Sequence, residues 1–152
     1  DRKTGALGYS SRAPGSPDVA ARTGAMATAL GVAGREKAFA KSLAESLVRL
    51  NARMRHAHAM SSIGMIFGFS GIKQGSPRNH SKVLKAWSPY LELSRLPHGG
   101  AAFFGGKRNI GGDQYLGLSS IGNATTGLVL ASADNRLFMH GGTRKGWFGT
   151  GN

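Results

Sequence analysis

From His58 to Ile72 the chain is apolar nearly all round, with Met60, Ile63, Gly64, Met65, Ile66, Phe67, Gly68 and Phe69 in close succession. A helix made from this run has no polar face to turn to water, so it has to be enclosed by other helices. Its glycines permit close approach of those neighbours, at some cost in helix propensity. The requirement for neighbours restricts the folds open to the chain more than any other feature.

The flanking segments supply such neighbours. Asp18 is placed to cap a helix through Val19, Arg22, Met26, Ala29, Leu30 and Ala33, lined with small residues and ended by Gly34 in a left-handed C-terminal position. A second helix is predicted from Arg35 to about Asn51, where Phe39, Leu43, Leu47 and Leu50 fall on one face and charges on the other. A fourth should run from about Asn79 to Leu96, burying Val83, Leu84, Trp87, Leu91 and Leu93, with Pro89 kinking or interrupting it. A fifth, short helix is predicted from about Asn123 to Ala131. Residues 1–17 read as a locally packed loop and 99–117 as a long loop or irregular hairpin. The glycine-rich tail has room for a short strand at 136–139.

With 152 residues, 40% of them apolar and 18% charged, the chain has the size and composition of one globular domain. Its 24 glycines therefore punctuate folded elements and do not signal wholesale disorder. Twenty Lys and Arg against seven Asp and Glu give a net charge of +13. Such a self-repelling balance is tolerated where an anionic partner or an acidic neighbouring subunit offsets it. The absence of cysteine excludes a disulfide framework, a thiolate zinc site and a cysteine nucleophile. No run of apolar residues is long enough to span a membrane. A first residue of Asp is what a chain processed or cut from a longer one would have.

Two distant segments echo one another. Gly5-Ala-Leu-Gly-Tyr, a polar turn and Arg22-Thr-Gly-Ala-Met-Ala-Thr-Ala-Leu are matched by Gly100-Ala-Ala-Phe-Phe, a polar turn and Thr125-Thr-Gly-Leu-Val-Leu-Ala. Small-residue helices alternate with longer amphipathic ones, the pattern of helical hairpins that stack into a ring or solenoid.

These residues resemble the α/α-toroid architecture of terpenoid-cyclase and prenyltransferase-like domains, and more closely a group of uncharacterised bacterial toroid proteins. The likeness is carried by the Gly8-Tyr9 loop feeding Arg22-Thr-Gly, His56-Ala-His58-Ala before Ser61-Ser-Ile-Gly-Met, the Trp87-Ser-Pro-Tyr helix, and Gly112-Asp113 before Thr125-Thr-Gly. It implies a mainly α fold in which 1–132 form partial toroid repeats and 133–152 an irregular glycine-rich tail. It also implies a secreted or periplasmic place. Five helices make two and a half hairpins, so the resemblance implies the terminal part of a toroid completed by an upstream segment or another subunit.

The known chemistries of that architecture do not transfer. The terpene cyclases protonate through an Asp-rich motif, and no two carboxylates here lie within a few residues of each other. The prenyltransferases hold zinc with Asp, Cys and His, and no cysteine is present, so no cofactor is expected. The sharpest local constellation is His56 and His58, paired imidazoles suited to metal binding, pH sensing or proton shuttling. Their spacing of two does not put both on one helical face, and capping, hydrogen bonding or lining the ring is the simpler account of them. Asp113 is a candidate acid or base, or an Asx turn. Gly105-Gly-Lys-Arg and Gly141-Gly-Thr-Arg-Lys-Gly fit neither phosphate-binding glycine motif.

Any site is expected on a rim formed by loops 5–17 and 99–117. The candidate ligand-binding residues are Tyr9, Arg22, His56 and Arg108, and the candidate catalytic residues Asp113, His58 and Tyr115. Tyr9, Phe103, Phe104, Tyr90 and Tyr115 offer stacking faces, whereas Trp87 falls on an apolar side and belongs to the core. Three functions fit: a binding or assembly module of a larger toroid or complex, a hydrolase or lyase acting on a glycan or lipid-like substrate in the ring cavity, and a basic component of a nucleoprotein complex.

Overall fold

The computed structural model describes residues 5–8, 19–59, 61–103 and 118–133, and the fold is mainly α. The helices are α1 (Val19–Ala33), α2 (Lys37–Leu50), α3 (Ser61–Ile72), α4 (Pro77–Leu93) and α5 (Leu118–Ala133), with a 310 segment at Asn51–Ala59 that continues α2. The candidate strand at 136–139 lies outside the described residues.

The helices form two layers. α3 packs between α1 on one side and α5 on the other, and these three make the first layer. α2 with its 310 extension and α4 make the second, α4 resting against both α2 and α3. Three contacts show that α2 and α4 run parallel. Asn79 Nδ2 donates to Glu45 Oε2 at 3.2 Å, Trp87 Nε1 to Asn51 Oδ1 at 3.1 Å, and the Arg55 guanidinium lies 4.7 Å from the centre of the Tyr90 ring.

The apolar run is enclosed as its composition requires. Gly64, Met65, Gly68, Phe69, Gly71 and Ile72 of α3 are buried. α1 and α3 meet through glycine: a Cβ on Gly24 would run into the Phe67 carbonyl, and one on Gly71 would stand 2.6 Å from the Gly24 Cα. Beyond this crossing, Phe69 makes edge-on contacts with His80 and Trp87, each at 6.0 Å between ring centres, and Trp87 with Tyr90 at 5.4 Å. Tyr90 stacks in turn on Phe103, so one aromatic chain ties α3, α4 and the segment after α4 together.

Several boundaries differ from the sequence reading, each for a local reason. α1 ends as predicted, with Gly34 at φ 66° and the Arg35 N–H bonded to Leu30 O at 3.1 Å. α2 tightens to 310 winding after Leu50, and Met54 and Ala57, three apart, are both buried, as side chains three apart eclipse in that winding. The apolar helix consequently begins at Ser61 and not at His58. Pro89 does not interrupt α4, which runs on to Leu93. The ring is exposed, and the carbonyl of Lys85, which a proline cannot reach with an N–H, accepts instead from Ser88 Oγ at 2.9 Å. Leu93, expected on the buried side, is 85% exposed, because it falls off the stripe formed by His80, Val83 and Trp87. α5 is longer than expected, at 16 residues.

The echo between the two halves has a structural counterpart. Leu7 N–H donates to Thr23 Oγ1 at 2.9 Å, and Ala101 N–H to Asn123 Oδ1 at 2.8 Å, so each glycine-led loop is pinned to the start of the helix that follows it. Buried Ala20, Thr23 and Ala27 of α1 correspond to buried Gly122, Thr125 and Val129 of α5. This is one residue out of step with the matched letters, which pair Thr23 with Thr126, because packing orients a helix by what it buries.

Candidate functional site

The two layers differ in charge. α1, α3 and α5 carry a single charged residue, Arg22, whereas α2, the 310 segment and α4 carry eight Lys or Arg against Glu45 and Glu92. The most exposed large apolar side chains divide the same way: Met26, Phe67, Leu128 and Leu130 belong to the uncharged layer, and Leu93 to the other.

An open groove of about 890 Å³ lies between α4, α5 and the turn at 94–101. Leu84 and Leu91 from α4 and Leu130 from α5 give it an apolar floor, and Lys85, Arg95 and Asn123 stand at its polar rim. Arg95 and Glu92, both largely solvated, pair at 3.2 Å. The turn is closed by Leu96 N–H to Gly100 O at 3.0 Å and Ala102 N–H to Ser94 O at 2.9 Å. Gly100 sits at φ 88°, and a Cβ there would stand 2.7 Å from Asn123 Oδ1, so glycine is required both for the backbone angle and for the bond that holds the turn to α5.

At the far end of the same helices the contacts are buried and polar. His80 Nε2 lies 3.1 Å from Ser132 Oγ, which itself donates to Val129 O at 2.6 Å. Lys73 Nζ donates to the Ser132 carbonyl at 2.7 Å, where a cation also suits the negative end of the α5 dipole. Burial, with the nearby Lys73 charge adding to it, lowers the His80 pKa from 6.5 to about 4. The ring is therefore neutral at neutral pH and clamps α5 to α3 and α4. His80 and Ser132 are each 2% exposed, too enclosed for the pair to meet a substrate.

Of the residues singled out in the sequence, Arg22 is half-buried on α1 and His56 is exposed on the 310 segment. His58 follows on the same segment. Tyr9, Arg108, Asp113 and Tyr115 lie outside the described residues, as does Phe104. Trp87 is in the core at 5% exposure. Among the described residues no three His, Asp or Glu side chains are grouped so as to hold a metal ion, and no helix is long and apolar enough to cross a membrane. The sequence reading passed over His80, although its position three before Val83 and seven before Trp87 places it on the buried stripe. Leu84 and Leu91, expected on the buried side of α4, are half-buried against the core and also line the groove. No protein family, curated protein or solved structure matches the chain.

Proposed function

We propose that the chain is a binding and assembly module, one section of a longer stack of helical hairpins whose remainder completes an α/α-toroid. The observation that carries this reading is the unequal use of equivalent helices. Among the described residues, α3 is covered by a like helix on each side, whereas α1 and α5 each pack substantially against one such neighbour. Met26 on α1 is 41% exposed, and Leu128 and Leu130 on α5 are 37% and 50% exposed. The groove between α4 and α5 extends the same argument to the second layer. It is the counterpart of the place that α4 itself takes against α2 and α3, and its leucine floor suits one more amphipathic helix. Repeats that bury their faces only against neighbours leave such unsatisfied ends wherever a section stops.

The native mass of the protein purified from its source tests the reading. A larger covalent or tightly held species is expected, and replacing Leu128 and Leu130 by lysine should weaken the contact while leaving the helical circular dichroism signal unchanged. A monodisperse 15.9 kDa species, stable and unaffected by those substitutions, would overturn it.

A further inference from the structure

The geometry points to a second interaction surface on the opposite layer, where the outer faces of α2, its 310 extension and α4 form a docking site for duplex nucleic acid, bound through its phosphates and without base readout. Between Arg49 and Lys85 the sequence contains seven Lys or Arg and no Asp or Glu. The parallel run of α2 and α4 gathers charges from both helices onto one side. Lys41, Arg49 and Arg53 form one exposed row and Arg78, Lys82 and Lys85 the other.

The dimensions suit a duplex. From Lys41 to Arg53 the row extends about 20 Å at the rises of α and 310 helix. Neighbouring packed helices stand roughly 10 Å apart, close to the ~12 Å width of the major groove that separates phosphate rows. The one acid between the rows, Glu45, is held by Asn79 Nδ2 and partly withdrawn from solvent. Arg55 is directed onto the Tyr90 ring and is not counted in either row.

The composition of the face separates duplex from the other polyanions. Membrane-surface binding needs several apolar side chains that enter the lipid; of the most exposed large ones among the described residues, Met26, Phe67, Leu128 and Leu130 lie on the other layer and a single leucine, Leu93, on this one. Single strands are held by stacking on exposed aromatic rings, whereas among the described residues of α4 Trp87 is buried and the Tyr90 ring is in contact with both Arg55 and Phe103. A face dominated by cations, with little apolar surface, is the kind that holds phosphates.

The test is fluorescence anisotropy of two labelled DNA duplexes of unrelated sequence, titrated with the protein in its native assembly. Both duplexes should bind alike, and six phosphate contacts predict an affinity loss of about 10³-fold between roughly 50 and 200 mM salt. The combined substitutions Lys41→Gln, Arg78→Gln and Lys82→Gln, all at exposed positions, should weaken binding at least about tenfold and lower the log-log salt slope by about 2.7. Absence of binding at low salt, a flat salt dependence, an unaffected triple variant, or capture by anionic phosphatidylserine vesicles without capture by duplex would each overturn the inference. It stands apart from the assembly reading: a monomeric protein that binds duplex keeps this surface, and an assembled one that ignores duplex loses it.

Discussion

Helices α3 and α4 lie against each other, yet they are built on opposite rules. α3 carries no charge, and its side chains are buried on most of its circumference, with Gly64, Gly68 and Gly71 taking the closest approaches of its neighbours. α4 buries one stripe, His80, Val83 and Trp87, and exposes Arg78, Lys82 and Lys85. The same division separates the layers to which they belong. In the first layer, stability comes from backbone proximity and leaves no tolerance for added volume. In the second it comes from a narrow apolar stripe and a few polar contacts, and the remaining surface is free to carry charge. The two proposed partners follow the same division: more protein for the uncharged layer, a polyanion for the basic one.

The comparison breaks most easily at glycine. Gly24→Leu sets a side chain against the Phe67 carbonyl and should cost about 3 kcal/mol or more, measured as a shift in the urea midpoint. Ala86→Leu, an addition of similar size on the exposed side of α4, should change stability by less than about 0.5 kcal/mol. Equal effects at the two positions would erase the contrast between the layers.

His80 is the point where the basic layer gives up charge to hold the uncharged one. The unfolded ring takes a proton near pH 6.5 and the folded ring only near 4, so between these values the unfolded state binds more protons. Stability should be greatest above about pH 6.5, fall as the pH drops towards 4, and level off below it. The total loss should be on the order of 2–3 kcal/mol. Urea melts across that range check the slope, and His80→Phe should flatten it.

Smaller effects probe how the layers are joined. Trp87→Phe keeps most of the ring contact with Phe69 but deletes the N–H that meets Asn51 Oδ1, and about 1 kcal/mol should be lost in thermal melts. Arg95→Gln removes an exposed pair with Glu92 and should shift stability by under about 0.5 kcal/mol at low salt and by less at high salt.

Much of the helical organisation could be read from the residues alone, because each helix has a single dominant signal: small residues in α1, the four-four-three apolar spacing in α2, the apolar run in α3. The 310 segment was missed because its repeat of three, Asn51, Met54 and Ala57, covers too few residues to stand out beside a basic cluster. Pro89 misled because the penalty of a proline depends on where the freed carbonyl goes, and Ser88 satisfies it one residue away. The groove was invisible for a different reason. Leu84 and Leu91 pack against the core and line the groove at once, and their periodicity reports only the first.

The sequence by itself determined that a charge-free helix at the centre must be wrapped by others, that the chain is strongly basic, and that cysteine-based chemistry is absent, since these follow from composition and period and need no coordinates. Only the tertiary structure decided that α1, α3 and α5 share one layer, that α2 and α4 run parallel with their cations exposed, and that His80 is neutral against Ser132. Those facts depend on contacts between residues dozens of positions apart, such as Glu45 with Asn79 and Lys73 with Ser132, and no local pattern encodes which helix will stand beside which.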